Sequence, residues 1–194
     1  MIIPNKVPDQ VVDISFEDYK HKISLFDSNT NKLYRKTLKR YFARSVYDST
    51  CRYNIPLFAS HNAVSQFPKD FKKDNKKLTN DHCLRPSSHF FQMIIEPEYR
   101  KKYLDKELYR KILNIMCICC RMLKTENRIL SSFNPKSILK CTTKELYEKA
   151  EIKVYDYNKD KLETKYFTPA FDLLPIEVQD DITDYENKLI SLNV

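Results

Sequence analysis

The feature that most restricts the fold of this chain is the complete absence of glycine from its 194 residues. Average usage would supply about 7%. Because only glycine enters the left-handed backbone region at little cost, the chain has no glycine-rich loop that could wrap closely around phosphate groups. The sequence therefore excludes Walker-type nucleotide sites and dinucleotide-binding motifs.

Charge is distributed unevenly along the chain, whose formal net charge is +8. Residues 32–77 contain twelve Lys or Arg against three acids, so this stretch alone carries +9. Residues 172–186 contain six acids and no Lys or Arg. A basic region of this density favours a polyanionic partner, with DNA first, while an ordinary solvated surface is the simpler alternative.

The six cysteines are expected to be free thiols, with Cys117, Cys119 and Cys120 acting as small buried residues. The first residues lack the apolar segment of a secretory signal, and no apolar run reaches the ~18 residues that cross a membrane. The sequence therefore predicts a protein of a reducing cytoplasm, including that of an infected host cell, with no membrane partner.

Residues 32–47 have the spacing of an amphipathic, basic helix. Two apolar rows recur at three- and four-residue intervals, namely Leu33, Thr37, Tyr41 and Leu38, Phe42, Val46. Basic side chains cover the remaining surface and interleave with tyrosines, which suits phosphate contacts and base stacking. The predicted nucleic-acid-binding residues of this helix and of the lysine-rich segment after it are Lys32, Arg35, Lys36, Lys39, Arg40, Arg44, Lys72, Lys73, Lys76 and Lys77.

Other elements follow from local patterns. Residues 1–12 are expected to be extended, and Ser15 is expected to cap a short helix. One helix is predicted over residues 99–116 and a hairpin over residues 152–167. The chain is predicted to end in an acidic helix with the apolar stripe Val178, Ile182, Tyr185 and Leu189.

The stretch Leu78-Thr79-Asn80-Asp81-His82-Cys83-Leu84-Arg85-Pro86 carries the clearest chemical signal. Its first residues suit a strand, and its proline prevents a helix from running through it. An aspartate directly before a histidine offers a hard oxygen ligand beside a neutral base, as a metal-assisted hydrolase requires. The pattern Leu-Thr-x-Asp-His-x-x-x-Pro resembles the centre of the HNH, or ββα-metal (His-Me finger), nucleases.

The segment from Asn114 to Asn127 is similar to the closing part of the same motif, in two competing registers. The first aligns Asn114, Cys117 and Cys120 with the family's Asn…Cys-x-x-Cys-His, and Arg121 then replaces the histidine. An arginine cannot coordinate a cation, because it stays protonated. The family's upstream Cys-x-x-Cys is also missing, so structural zinc is not expected.

In the second register, residues 118–123 form the second strand of the finger, and Thr125 caps a helix that begins at Glu126. Asn127 then lies in the first helical turn, where its amide oxygen can face Asp81. This arrangement resembles phage-type His-Me finger nucleases, whose metal is held by an aspartate and an asparagine. We prefer it because it leaves oxygen ligands suited to Mg²⁺.

The resemblance implies an α+β fold, in which a ββα-metal finger is embedded in a mostly helical domain with a C-terminal hairpin and helix. Residues 1–134 are expected to form the DNA-binding and nuclease region. Residues 135–194 are expected to form an extension, for which three roles stay open: completing the core, pairing subunits or selecting a DNA sequence.

The function implied by the resemblance is that of a metal-dependent DNA endonuclease. His82 is the expected general base, Asp81 and Asn127 the expected ligands of one Mg²⁺ or Mn²⁺, and Arg85 a candidate phosphate clamp. The alternatives are a non-catalytic nucleic-acid-binding protein that uses residues 32–77, and a viral interaction protein whose charge serves solubility.

Overall fold

The computed structural model describes residues 7–50, 52–67, 76–82, 89–132, 145–156, 161–162 and 173–192. The helices are α1 (Asp9–Ser28), α2 (Lys32–Thr50), α3 (His61–Gln66), α4 (His89–Met93), α5 (Pro97–Tyr103), α6 (Lys106–Met116), α7 (Lys124–Ser132), α8 (Glu145–Lys149) and α9 (Ile176–Ser191). The strands are β1 (Ile55–Ser60), β2 (Leu78–His82), β3 (Ile118–Leu123), β4 (Val154–Asp156) and β5 (Lys161–Leu162). The fold is mixed α+β, as predicted. None of these helices is both long and apolar enough to span a membrane.

The strands form one mixed sheet in the order β2-β3-β1-β4-β5. β1 and β3 are parallel, whereas β2 is antiparallel to β3, β4 to β1 and β5 to β4. β1 and β3 therefore end at the same edge of the sheet, and each is followed directly by a helix, α3 or α7. β2 runs the other way, so its C-terminal residues lie beside the start of β3.

The main hydrophobic cluster covers one face of the sheet. Every second residue of β3, starting at Ile118, belongs to this cluster, and Phe58 of β1 joins it. Strand side chains alternate between faces, so the intervening residues of β3 lie on the other side; these are Cys119, Arg121 and Leu123.

An aromatic stack joins α1, α2 and α6. The ring of Tyr19 stacks on those of Tyr109 and Phe42, at centroid distances of 5.6 and 5.5 Å. The hydroxyl of Tyr19 donates a hydrogen bond to the carbonyl of Ile94 at 2.7 Å, which satisfies this buried phenol. Ser15 lies inside α1, with its hydroxyl 2.7 Å from that of Tyr109, so the prediction that it caps a helix is wrong.

The prediction of an extended segment through residue 12 is also wrong. α1 begins at Asp9, directly after Pro8. A proline at the start of a helix costs little, because the first turn leaves its N–H groups without intrahelical partners in any case. Val12 and Phe16 then begin the buried side of α1.

α2 is the predicted basic helix, but it buries only one of the two apolar rows. Leu38, Phe42 and Val46 are buried, whereas Leu33 and Tyr41 are 73% and 68% exposed. The buried side of α2 extends from the Leu38 row to Ala43, about 100° around the helix in the direction away from Leu33 and Tyr41, so these two side chains are left outside it. α2 therefore presents a mixed basic and apolar side outward.

The single helix predicted over residues 99–116 is divided into α5 and α6. Asp105 is the N-cap of α6, and its carboxylate accepts hydrogen bonds from the N–H groups of Glu107 and Leu108. A capping aspartate favours a new helix start here, because it satisfies donors that a first turn leaves without partners.

The C-terminal elements complete the same sheet and core. β4 pairs with β5 as the predicted hairpin and with β1, although the turn at residues 157–160 lies outside the described residues. The apolar stripe of α9 is confirmed, since Val178, Ile182 and Tyr185 are buried and Leu189 packs against the main cluster. Residues of the two predicted regions, 1–134 and 135–194, thus share one core and one sheet.

Candidate functional site

β2, β3 and α7 form a compact strand–strand–helix unit. The two strands are antiparallel, and the pairing covers all of β2 from Leu78 to His82. α7 follows β3 without a loop, and the N–H of Lys124 donates to the carbonyl of Lys77 at 3.0 Å. This is the order of elements that the second register predicts.

The start of α7 differs from the prediction that Thr125 caps it, because the helix begins at Lys124. The side chain of Glu126 instead reaches back and accepts a hydrogen bond from the N–H of Leu123 at 2.9 Å. A glutamate at the third helical position that bonds the N-cap N–H is one half of a capping box, which favours the earlier start.

The pleat of the two strands separates the predicted site residues into two groups. We call the side that packs on the main hydrophobic cluster the core face; it carries Thr79, Asp81, Cys120 and Met122. We call the other side the polar face; it carries Asn80, His82, Cys119 and Arg121. Although adjacent in sequence, Asp81 and His82 project from opposite sides of one strand.

Asp81 is only 8% exposed and lies against the main core. Its Oδ2 atom accepts a hydrogen bond of 2.9 Å from the hydroxyl of Tyr147 in α8. A buried carboxylate requires such donors, because removing an ionised group from water is costly. Tyr147 was not predicted as a site residue, since it lies 66 positions from Asp81 and no local pattern connects the two.

The charges near the core face affect a neighbouring thiol. Cys120 lies opposite Asp81 in the strand ladder and is fully buried. Burial raises the pKa of the Cys120 thiol well above its ordinary value, and the nearby carboxylates of Asp81 and Glu126 raise it further. Cys120 therefore stays protonated near neutral pH. Together with Cys117 and Cys119 it is a buried free thiol, as predicted.

His82 lies at the end of β2 on the polar face and is also 8% exposed. Its ring meets the ring of Tyr47, near the end of α2, edge to face at a centroid distance of 5.7 Å. The guanidinium of Arg44 lies 5.2 Å from the centre of the Tyr47 ring, where a cation is attracted to the aromatic face. The exposed basic side of α2 thus ends beside the candidate general base.

Asn127 is half-buried in the first turn of α7, where the second register predicts it. α7 and β2 meet where Lys124 bonds Lys77. From that point Asp81 lies four residues along a strand, about 13 Å, and Asn127 three residues along a helix, about 4.5 Å. The unit therefore contains both residues but separates their Cα atoms by at least about 8 Å along the strand direction.

The position of Asn114 disfavours the first register. Asn114 is 5% exposed in α6. Its Oδ1 atom accepts a hydrogen bond from the N–H of Val7, and its Nδ2 atom donates to the carbonyl of Arg110. These bonds connect the N-terminal segment to α6, so Asn114 has a structural role among the helices.

A second buried carboxylate, Glu126, links the ends of the two parallel strands. Its Oε2 atom accepts from the hydroxyl of Ser60 at 2.6 Å, and its Oε1 atom accepts from Nδ2 of Asn62 at 3.0 Å. Ser60 is also the N-cap of α3 and accepts from the N–H of Ala63. Charge-assisted bonds of this kind are stronger than neutral ones, so Glu126 holds the β1–α3 corner against the β3–α7 corner.

Four of the predicted nucleic-acid-binding residues form an exposed row on α2. They recur every fourth residue, which places neighbours on one side of a helix. The row consists of Lys32, Lys36, Arg40 and Arg44. The exposed Leu33 and Tyr41 lie on the same helix, so cations and apolar groups alternate across this surface.

Two other predicted residues of α2 serve the fold. The Nε atom of Arg35 donates to the carbonyls of Phe26 and Asn29, which fixes the turn between α1 and α2. Lys39 forms an ion pair with Glu96. Of the remaining predicted residues, Lys76 and Lys77 are exposed beside β2, and Lys72, Lys73 and Arg85 lie outside the described residues.

Within the described part of the chain, no group of three or more His, Cys, Asp or Glu side chains is arranged to hold a metal ion. The donor chemistry of Asp81 nevertheless fits Mg²⁺ or Mn²⁺, because Mg²⁺ commonly takes one or two carboxylates, several waters and a substrate phosphate. The hydrogen bond from Tyr147 also fits, since carboxylates that bind metals are themselves held by hydrogen bonds.

The end of β2 thus carries a buried carboxylate and a buried imidazole, with the end of a basic helix beside the imidazole. No family model matches this chain, and comparisons with curated proteins and with solved structures found no significant similarity.

Proposed function

We propose that this protein is a DNA endonuclease. It binds the phosphate backbone of DNA through the exposed row of α2, and the side chains of Asp81 and His82 catalyse hydrolysis of a phosphodiester bond. The observation that carries the proposal is the ring contact between Tyr47 and His82. Because Tyr47 lies near the end of α2, a phosphate backbone bound along that helix would lead directly to the imidazole.

In this proposal His82 is the general base. The oxygen of a water molecule attacks phosphorus, His82 takes the proton of that water, and the bond from phosphorus to the departing 3′-oxygen breaks. Asp81, held by Tyr147, and Asn127 are the residues that would bind one Mg²⁺ or Mn²⁺. The ion would neutralise charge on the phosphate.

Incubation of supercoiled plasmid DNA with the protein and Mg²⁺, Mn²⁺ or EDTA tests the proposal. Nicked or linear DNA is expected with either metal and not with EDTA. His82→Ala is expected to slow cleavage by about 10²- to 10⁴-fold while DNA affinity stays near that of the unmodified chain. His21→Ala, which removes an exposed histidine of α1, is the matched control. Equal cleavage rates for His82→Ala and the unmodified chain would contradict the assignment.

A second function, nucleic-acid binding without cleavage, is favoured by the burial of the proposed catalytic pair. Asp81 and His82 are each 8% exposed, whereas the row on α2 is open to solvent. Replacement of Lys36 and Arg40 by Gln tests binding alone. For each phosphate that the variant no longer neutralises, the slope of log affinity against log salt should become shallower by about 0.9. Salt-dependent binding without cleavage in either metal would select this second function, and no binding at low salt would contradict both.

A further inference from the structure

The polar face places a guanidinium close to the proposed general base. Asn80 and Arg121 are direct cross-strand partners, and His82 lies two residues further along the same face of β2. Diagonal neighbours across antiparallel strands, such as His82 and Arg121, are about 7–8 Å apart. An arginine side chain is long enough to span such a gap, so the Arg121 guanidinium can reach the His82 ring on this shared face.

Asn80 adds a hydrogen-bond acceptor to this face. Its Oδ1 atom is buried, and no hydrogen-bond partner reaches it within the described part of the chain. Leaving a buried acceptor without a donor is unfavourable, and such groups in native proteins commonly mark a bound water, ion or ligand. Asn80 therefore indicates that a group outside the described residues, such as a bound water or ligand, completes the polar face.

The surroundings of Arg121 suit the binding of an anion. Arg121 is half-buried, so its bonds to a ligand are less weakened by water than those of an exposed arginine. Its planar fork of donors matches two oxygens of a phosphate group. Leu78 and Leu123 close one end of the polar face by packing on Ala63 of α3, which leaves the polar groups towards the His82 end.

We propose that Arg121 and Asn80 form, together with His82, a binding site for a phosphate group. Arg121 donates two N–H groups to non-bridging oxygens, and Oδ1 of Asn80 accepts a hydrogen bond from water bound beside the phosphate. The inference rests on the proposed function in one respect, since in a nuclease this site would hold the scissile phosphate next to His82. The ligand class is a phosphate group, either free or within a nucleotide chain.

Thermal unfolding with increasing inorganic phosphate, at constant ionic strength with chloride, tests the site without any cleavage assay. Phosphate is expected to raise the unfolding temperature of the unmodified chain. Arg121→Gln should weaken phosphate binding by about 10- to 100-fold. The matched control is Arg128→Gln, which makes the same charge change at an exposed position of α7 and should leave the effect intact.

Two further variants keep the test decisive if Arg121→Gln does not fold. Arg121→Lys retains the charge without the fork and should bind phosphate more weakly than the unmodified chain. Asn80→Asp places a negative charge beside the ligand and should abolish the temperature shift. A short oligothymidylate is the second ligand. If only the oligonucleotide binds in an Arg121-dependent way, the site recognises phosphate within a nucleotide chain. If inorganic phosphate binds in an Arg121-dependent way, the site recognises free phosphate.

The site is overturned if phosphate and the oligonucleotide shift the unfolding temperature equally in the unmodified chain and in all three site variants. The nuclease proposal would still stand in that case. Arg121-dependent binding without plasmid cleavage would support the site and overturn only the nuclease proposal.

Discussion

On the core face of the β2–β3 pair, the side chains from β3 are fully buried in the main cluster, and the carboxylate of Asp81 is bonded to Tyr147. The polar face of the same two strands carries an amide, a guanidinium and an imidazole, and the buried Oδ1 of Asn80 lacks a partner among the described residues. The difference teaches that close packing dominates one side of this strand pair and polar groups dominate the other, with Asp81, the proposed metal ligand, as a charged group on the core face. Changes to the apolar side chains of the core face should therefore affect folding, and changes on the polar face should affect binding.

Glu126→Ala, at the corner where α7 meets β1 and α3, should have the largest effect on stability. Three donors, on Ser60, Asn62 and Leu123, would lose their acceptor. The free energy of unfolding should fall by about 3–5 kcal/mol, as measured by urea titration. Glu126→Gln, which keeps the shape and one acceptor oxygen, should cost about half as much. A loss below about 1 kcal/mol would show that water satisfies these donors equally well.

Met122→Ala compares the two faces most directly. Met122 is fully buried in the main cluster, so the cavity should cost about 3 kcal/mol of unfolding free energy. On the polar face, Asn80→Leu removes an acceptor that has no partner within the described residues and should change stability by less than about 1 kcal/mol. The proposed difference between the two faces would be contradicted if Asn80→Leu lowered the free energy of unfolding as much as Met122→Ala in the same denaturant titration.

Tyr147→Phe should have an intermediate effect, because it removes only the hydroxyl that donates to Asp81. The expected loss of stability is about 1–2 kcal/mol. If Asp81 binds the metal, cleavage at limiting Mg²⁺ should also fall by about 10- to 100-fold and recover in part at high Mg²⁺. A loss of stability without any shift in the Mg²⁺ dependence would restrict Tyr147 to a structural role.

The smallest expected effect is a pH dependence from Cys120. The pKa of this thiol is raised by burial and by Asp81 and Glu126, so the folded chain keeps a proton that the unfolded chain releases above about pH 8.5. The stabilisation is therefore fully present below about pH 8.5 and decreases as the pH rises above it. Between about pH 7.5 and 9, the free energy of unfolding of Cys120→Ala should decrease less than that of the unmodified chain, and the difference should be less than about 1 kcal/mol. If thermal unfolding showed the same pH dependence for both chains, the raised pKa of Cys120 would be contradicted.

Much of the fold follows from short-range patterns. The buried row of α2, the strand at Leu78, the C-terminal hairpin and the stripe of α9 agree with the periodicity of their own residues. The errors occurred where a local signal had two meanings. Asp105 could continue one helix or cap the next, and Leu33 could belong to either side of α2.

The candidate site was predictable only in part. The adjacent Asp81 and His82 at the end of a strand were visible in the sequence, as was the basic character of α2. The contacts of these residues were not, because Tyr147 and Tyr47 come from helices far away in the chain. No spacing rule predicts which distant side chain meets a given strand residue.

By itself, the sequence determined some elements and their inward sides, such as the buried row of α2 and the stripe of α9, because the period of 3.6 residues in helices is visible locally in the apolar pattern. The opposite directions of Asp81 and His82 were not anticipated; they follow because the observed strand β2 extends through His82. Only the tertiary structure decided what meets them there, the hydroxyl of Tyr147 on one side and the ring of Tyr47 on the other. Those contacts depend on how distant helices pack around one shared core, which is a property of the whole chain and not of any segment.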